Sequence, residues 1–510
     1  MRESRPDEAV GAKSRDPHDL RRESLVRPAD WQNPRPAERY DLVVLGAGTA
    51  GLVAAAGGAG LGARVALVER GFMGGDCLNY GCVPSKALLA SARRAAEARR
   101  AGRYGVRVAK VEVDFAAIMD RMRRIRADLA VHDSAARFRE LGVDVFLGEG
   151  RFVGRDAVEV DGARLSFRRA LVATGGAPLV PAVPGLVEAG FLTNETVFDL
   201  EALPPRLAVV GGGPVGCELA QAFARFGATV TLVERLDRIL SNDEPDAAAL
   251  LADAMAGEGI RILPRHELER VEPSGSGHVL FLQGPDGPGR VDADRILVAA
   301  GRRPTVEGLG LDRAGVEHDV QRGIRVDDRL RTTNPAVYAA GDVAGRHRFT
   351  HVADAEARIV LRNALFPGRR KASALHIPWC TLTDPEVARV GHSSGSAAEA
   401  GIAVDSFTRP LARVDRFVVE GEEGGFARVH VRRGNDEIVG ATVVGAHAGE
   451  LIGLVALAMT AGAGLGSFAD TVFPYPTRSE ALRGVANEWQ RSRLTPRVRR
   501  LFEGWFRLWR

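Results

Sequence analysis

The chain has 510 residues, enough for two to four domains, and is 45% hydrophobic and 26% charged, the balance of a protein with ordinary buried cores. A net charge of +4 over this length gives no basis for nucleic-acid binding. Four cysteines are too few for a disulfide framework, so a reducing cytoplasmic setting is expected, in which a close pair reads as catalytic or metal-binding.

Residues 1–39 are polar, charged and proline-rich, without the apolar core of a secretory signal, and are expected to form a disordered tail. At Tyr40 the character changes. Asp41-Leu-Val-Val-Leu45 reads as a strand, Gly46-Ala-Gly48-Thr-Ala-Gly51 follows at once, and an Ala- and Gly-rich helix runs to about Gly60. The strand Ala63–Glu69 then ends on an acid. The same device returns in Arg206–Val210, Gly211-Gly-Gly213-Pro-Val-Gly216, the helix Cys217–Gly227 and the strand Thr229–Glu234. Strands ending on glycine lie at Ala170–Gly175, Arg295–Gly301 and Ala336–Asp342. From about residue 375 alternating strands and a helix suggest a separate α+β domain. The apolar run Leu451–Leu465 is too short for a membrane span and reads as a buried or interface helix.

Each glycine motif follows a strand, opens a helix and precedes, by about 20 residues, an acid at a strand end, as a dinucleotide fingerprint requires. Gly46, Gly48 and Gly51, and Gly211, Gly213 and Gly216, let backbone approach a pyrophosphate at a helix N-terminus. Glu69 and Glu234 are placed to accept hydrogen bonds from ribose. Glu234 favours NADH, because a carboxylate repels a 2′-phosphate, while Arg235 beside it, with Arg238, keeps NADPH open. Between the fingerprints lies Cys77-Leu-Asn-Tyr-Gly-Cys82-Val-Pro-Ser-Lys86. Pro84 suits a first helical turn, which puts Cys82 at a helix N-terminus where thiolate is favoured. The pair therefore reads as redox-active. Cys217 and Cys380 read as buried small residues.

The chain resembles the pyridine nucleotide-disulfide oxidoreductases, the family of glutathione reductase, dihydrolipoamide dehydrogenase and mercuric reductase. The resemblance covers roughly residues 40–490 and rests on Gly74-Gly-Asp-Cys-Leu-Asn-Tyr-Gly-Cys-Val-Pro-Ser-Lys86, Ala173-Thr-Gly175, both fingerprints, Ala340-Gly-Asp342 and Pro476-Thr-Arg-Ser-Glu480. It implies an α/β fold with two Rossmann-like domains and a C-terminal α+β dimerisation domain. The FAD-binding domain would span 40–176 and 300–370, the NAD(P)-binding domain 177–299, the dimerisation domain 371–490, and a basic aromatic tail 491–510. It implies FAD and NAD(P)H as cofactors and a homodimer. Cys82 would face the flavin as charge-transfer thiolate, Cys77 would be the interchange sulfur, Lys86 would pair with Glu218, and Asp342 would bind the ribityl chain. Gly75, Thr174, Gly175 and Gly301 join the cofactor-binding set.

Within the family the chain is most similar to mercuric reductases, through Phe473-Pro-Tyr475 and Cys217–Gly227, although Arg507–Arg510 holds no cysteine pair. Disulfide reductases carry a histidine from the partner subunit where Tyr475 stands here, oriented by the acid corresponding to Glu480; His351 lies where dihydrolipoamide dehydrogenases also have a histidine. The expected acceptor is a metal ion such as Hg(II), held transiently by Cys77, Cys82 and Tyr475, or another thiophilic species. The alternatives are dihydrolipoamide or a small disulfide, or a redox-sensing or assembly flavoprotein. The tail, with Phe502, Trp505, Phe506, Trp509 and its arginines, reads first as a dimer-capping helix and second as a membrane-surface contact.

Overall fold

The computed structural model describes residues 16–345 and 347–510. Two compact units form: one takes residues up to Ala182, Gly190–Pro204 and Arg295–Ala374, the other Val183–Ala189, Pro205–Asp294 and Leu375–Arg510. The fold is mixed α/β, as expected.

The first unit is built on strands β1 (Tyr40–Leu45), β2 (Val65–Glu69), β3 (Val143–Leu147), β4 (Gly150–Gly154), β5 (Ala157–Val160) and β6 (Ala163–Val172), in the order β3-β2-β1-β6-β5-β4, with Val337–Ala339 beside β6. Val43 lies opposite Ala66 on one side and Ala170 on the other, both in parallel register. Leu42, Val43 and Val44 are fully buried, which is what an uninterrupted apolar run in a strand covered on both faces requires. The helix α2 (Thr49–Gly60) follows β1. A Cβ on its Gly57 would lie 2.5 Å from Leu361 Cδ1, so the glycine admits the helix Thr350–Leu365 at close range.

The expected tail over residues 1–39 needs correction. Residues 1–15 lie outside the described residues, but 16–39 are ordered against the first unit. Helix α1 (Pro17–Val26) starts on Asp16, whose side chain accepts from His18 N and Asp19 N. Trp31 Nε1 donates to Val145 O at 3.2 Å, and Asn33 exchanges hydrogen bonds with the backbone of Leu147, occupying the open edge of β3. The polar composition suggested disorder because its charges have distant partners. Asp19 accepts from Arg126 Nη2 at 2.5 Å, and both side chains are almost fully buried. Burial pushes the Arg126 guanidinium down from its ordinary range, with Asp19 opposing. Arg126 Nη1 also donates to Asn79 O at 2.9 Å, linking the N-terminal helix to the segment between the two cysteines. Asp19→Ala strands a buried cation and is expected to cost the first unit about 3–5 kcal/mol. Denaturant unfolding followed by flavin release checks this; a loss below about 1 kcal/mol would contradict it.

In the second unit, Arg261–Pro264, Thr229–Glu234 and Arg206–Val210 are parallel neighbours in that order, and Glu267–Ser274, Gly277–Gly284 and Gly287–Ala293 form an antiparallel meander. A five-stranded antiparallel sheet follows, ordered Pro378–Thr381, Glu386–Gly391, Ile438–Gly445, Phe426–Arg432, Val404–Pro410. The helix Ala448–Ala461 buries Leu451, Ile452 and Val455 against it, so the apolar run from Leu451 is partly core, while Leu457 is exposed. No described helix is long and apolar enough to cross a membrane. The last segment is the helix Pro496–Trp509, which buries none of its residues.

Candidate active site

The helices α3 (Gly75–Asn79) and α4 (Cys82–Arg100) carry the cysteines: Cys77 sits within α3, and Cys82 is the first residue of α4. The turn between them depends on glycine, since a Cβ on Gly81 would lie 2.9 Å from Asp76 Oδ2 and 3.0 Å from Asp76 O. Buried Asn79 pins the turn through Nδ2 to Met73 O and Gly75 O at 3.1 and 2.9 Å.

The two sulfurs hydrogen-bond each other but are not equivalent. Cys82 is drawn below the ordinary thiol range, chiefly by the hydrogen bond from Cys77, with Thr350 and the Lys86 ammonium assisting against burial. Cys77 is pushed up by the hydrogen bond it gives to Cys82, then by burial and by its partner's charge. When the pair is reduced, Cys82 is therefore the sulfur that gives up its proton first. Thr350 Oγ1 lies 3.2 Å from Cys82 Sγ. Sequence reasoning took His351 from this segment and missed Thr350. His351 occupies an exposed place in the first turn of Thr350–Leu365, its ring stacked on Phe349 at 5.4 Å. Thr350→Val is expected to raise the Cys82 thiolate midpoint by about one pH unit, the equivalent of one lost hydrogen bond. Below the folded midpoint the thiolate is lost by protonation, so the variant should lose it at higher pH than wild type. Titration of the long-wavelength thiolate absorbance in the reduced holoprotein measures the shift; an unchanged midpoint removes Thr350 from the site.

The residues of the first fingerprint fit a dinucleotide. Gly46 has φ +100°, and a Cβ there would meet Ala173 O at 2.4 Å. A Cβ on Gly51 would lie 1.8 Å from Gly46 O, and one on Gly75 would lie 2.5 Å from Gly48 Cα. These contacts hold the turn tight while the α2 N-terminus, begun at Gly48, has no side-chain cap on its amides. Glu69 accepts from Ala47 N and Gly71 N at 2.6 Å each; burial raises its pKa and those bonds oppose the rise. Its carboxylate has further lone pairs for a ribose. Asp342 is likewise raised by burial and opposed by Arg302. Arg302, which sequence reasoning missed, lies 3.3 Å from both Asp342 Oδ2 and Asp76 Oδ1 and donates to Gly176 O at 2.6 Å. It ties the expected ribityl-binding acid to the cysteine turn. Thr174 Oγ1 donates to Thr305 O at 2.8 Å, and apart from its chain neighbours no described residue comes within 4 Å of a Cβ built on Gly175. Gly301 adopts φ +119°.

The second fingerprint has the same form. Gly211 has φ +113°, the helix Pro214–Phe226 starts from uncapped Gly213, open space faces Gly213, and Gly216 is buried. Glu234 accepts from Gly212 N and Leu236 N at 2.6 and 2.7 Å. Arg235 is exposed beside it, while Arg238 donates to Ser241 O at 2.7 Å. Glu218 is buried and accepts from Leu382 N at 2.9 Å in the second unit, whereas Lys86 belongs to the first. Cys217 is buried, as expected; Cys380, on an edge strand, is only half-buried.

Tyr475 is 70% exposed and its neighbour Val472 92%, so this segment points outward, away from its own core. The Tyr475 hydroxyl donates to Asp415 Oδ2 at 2.7 Å, and that hydrogen bond raises the phenol pKa further. Asp415 is a third residue missed from sequence. Glu480 begins the helix Glu480–Ser492 and accepts from Arg483 Nη2 at 2.5 Å rather than from Tyr475. No resident cluster of metal-ligating side chains occurs among the described residues.

The family profile described as pyridine nucleotide-disulphide oxidoreductase matches residues 40–357, and its dimerisation domain matches residues 377–486. The mercuric reductase of Streptomyces lividans is 37% identical over 453 residues, covering 88% of this chain and 95% of that protein. The dihydrolipoyl dehydrogenase of Chlamydia muridarum is 34% identical over 452 residues, covering 87% and 95%. Among solved structures, LpdA of Mycobacterium tuberculosis superposes with a TM-score of 0.80 at 28% identity, covering 89% of this chain and all of that one. A Cu(II) complex of the HOCl-induced flavoprotein disulfide reductase RclA of Escherichia coli gives 0.77 at 26% identity, covering 88% and 99%.

Proposed function

The chain belongs to the pyridine nucleotide-disulphide oxidoreductases, and from that premise we propose that it passes electrons from NAD(P)H through Cys77 and Cys82 to a thiophilic metal ion such as Hg(II). It is an FAD-dependent oxidoreductase with FAD and NAD(P)H as cofactors, and it carries the family's dimerisation domain. FAD held at the first glycine fingerprint supplies the two-electron relay between nicotinamide and sulfur. The chain's own residues set the rest. Thr350, Lys86 and Cys77 keep Cys82 as thiolate, and a thiolate is the form that binds a soft metal. Oxidation of one NAD(P)H releases two electrons and one proton, which reduces one Hg(II) to the element or two Cu(II) to Cu(I).

The observation that carries this reading is Tyr475. Its proton is committed to Asp415 and its pKa lies above that of an ordinary phenol. Such a group does not protonate a departing thiol near neutral pH, which disulfide substrates need and metal ions do not. The names of two relatives point the same way: a mercuric reductase, and a disulfide reductase whose structure is that of a Cu(II) complex. The second reading, reduction of lipoamide or another small disulfide, is favoured by His351, the residue after Thr350, and by the dihydrolipoyl dehydrogenase relatives. Anaerobic NADH and NADPH oxidation with Hg(II), Cu(II), glutathione disulfide, lipoamide and quinones separates the two. Turnover confined to the metals supports the first, and turnover confined to disulfides overturns it.

NADH is the proposed donor in preference to NADPH, because Glu234 stands at the second strand end with both oxygens anchored by backbone amides. Glu234→Ala should narrow the preference several-fold. A wild-type kcat/KM tenfold higher for NADPH, about 1.4 kcal/mol, would reverse the assignment and point to Arg235.

A further inference from the structure

We propose that the C-terminal helix Pro496–Trp509 lies in the headgroup region of an anionic lipid bilayer and holds the flavoenzyme there. Nothing in this depends on which acceptor the cysteines serve. The helix begins independently of the one before it: Glu480–Ser492 ends, and Thr495 caps the new helix by accepting from Val498 N at 3.4 Å, with Pro496 in the first turn. Fourteen residues make a rod of about 21 Å. At 3.6 residues per turn, Leu501, Phe502, Trp505, Phe506, Leu508 and Trp509 fall on one half of its circumference. Arg497, Arg499, Arg500, Arg507 and Arg510 fall on the other, with Glu503 and Gly504.

Segregation this complete usually means that the apolar half is buried, yet no residue of this helix is. Leu501 is 73% exposed, Leu508 84% and Trp509 77%, and Trp505 and Trp509 lie side by side at 6.1 Å. An exposed aromatic face of this size marks an interaction surface. Two further features select lipid over a second copy of the chain. The matched dimerisation domain ends at residue 486, so the helix is additional to the module that pairs subunits. The polar half is almost wholly cationic: five arginines face one acid, Glu503, and that acid is engaged by Arg499 at 3.4 Å. Two identical helices of this charge would repel each other, whereas anionic headgroups complement the arginines while the aromatic rings enter the acyl boundary. The helix is too short and too charged to span, so it lies in the plane of the surface.

The test is co-sedimentation of the full-length holoprotein with phosphatidylcholine vesicles and with phosphatidylglycerol/phosphatidylcholine vesicles. At least tenfold tighter binding to the anionic vesicles at low salt is expected, weakened several-fold at high salt. The double variant Phe502→Glu/Trp505→Glu should lose at least tenfold in binding while keeping its FAD content and its dichloroindophenol turnover. If that variant is poorly folded, brominated lipids provide a second readout: they should quench wild-type tryptophan fluorescence, and Trp505→Phe/Trp509→Phe should remove the quenching. Absence of vesicle binding overturns the proposal, as does undiminished binding by the glutamate variant. A change in oligomer mass by light scattering in that variant, with no vesicle binding by wild type, would make the helix an interface between copies instead.

Discussion

Cys82→Ser is expected to abolish the long-wavelength absorbance of the reduced holoprotein and to bring metal-dependent NAD(P)H oxidation down to background. Cys77→Ser should also abolish metal turnover, but with the opposite spectrum: the band should be present without any reductant. The difference follows from the unequal sulfurs. Cys82 receives a hydrogen bond from Cys77, lies 3.2 Å from the Thr350 hydroxyl and feels the Lys86 ammonium, so it holds the charge. Cys77 keeps its proton because giving it up would put two anions side by side in a half-buried site. Removing Cys77 leaves Cys82 with no partner for a disulfide, while the serine hydroxyl can still donate to it. Dichloroindophenol turnover, which bypasses the sulfurs, should persist in both variants. If neither substitution alters the spectrum, the assignment of the pair fails.

Tyr475→His should raise lipoamide and glutathione disulfide reduction by about 10²-fold or more, the range a positioned general acid-base group supplies, and should leave metal turnover unchanged or lower it. An imidazole titrates near neutrality where the phenol does not. The structure adds a condition. Glu480, the acid expected to orient such a histidine, is paired with Arg483, and Asp415 holds the present hydroxyl. The gain should therefore increase when Arg483→Ala releases Glu480. Tyr475→Phe should weaken metal turnover and leave dichloroindophenol reduction intact. Brisk wild-type lipoamide turnover that survives Tyr475→Phe and collapses in His351→Ala would make His351 the proton shuttle and this chain a disulfide reductase.

What could be read from the sequence was what lies close together along it. The two glycine fingerprints each compress strand, turn, helix and acid into about 30 residues, and Cys77 and Cys82 are separated by one turn that ends at a helix start. Those patterns gave two dinucleotide-binding turns and pointed to the cysteine pair, and the family resemblance they carry supplied the fold class and both cofactors. The missed residues have partners far away in the chain. Thr350 is 268 residues from Cys82, Arg302 is 226 from Asp76, Arg126 is 107 from Asp19, and Asp415 is 60 from Tyr475. No local periodicity marks such pairs. Asp19 was read as part of a disordered tail for this reason: a charged residue in a polar segment signals disorder unless its buried counter-charge is known. Thr350 was obscured by its neighbour, because a histidine at a helix start attracts a catalytic reading that a threonine does not.

Electron transfer from the Cys77–Cys82 pair to a metal ion has a fixed stoichiometry, which anaerobic assays of wild type and Cys77→Ser read as NAD(P)H consumed and elemental mercury released per Hg(II) added. One NAD(P)H oxidised per mercury atom released by wild type, with none released by Cys77→Ser, is the predicted result. Inhibition by Hg(II) without metal release, alongside rapid lipoamide turnover, would contradict it.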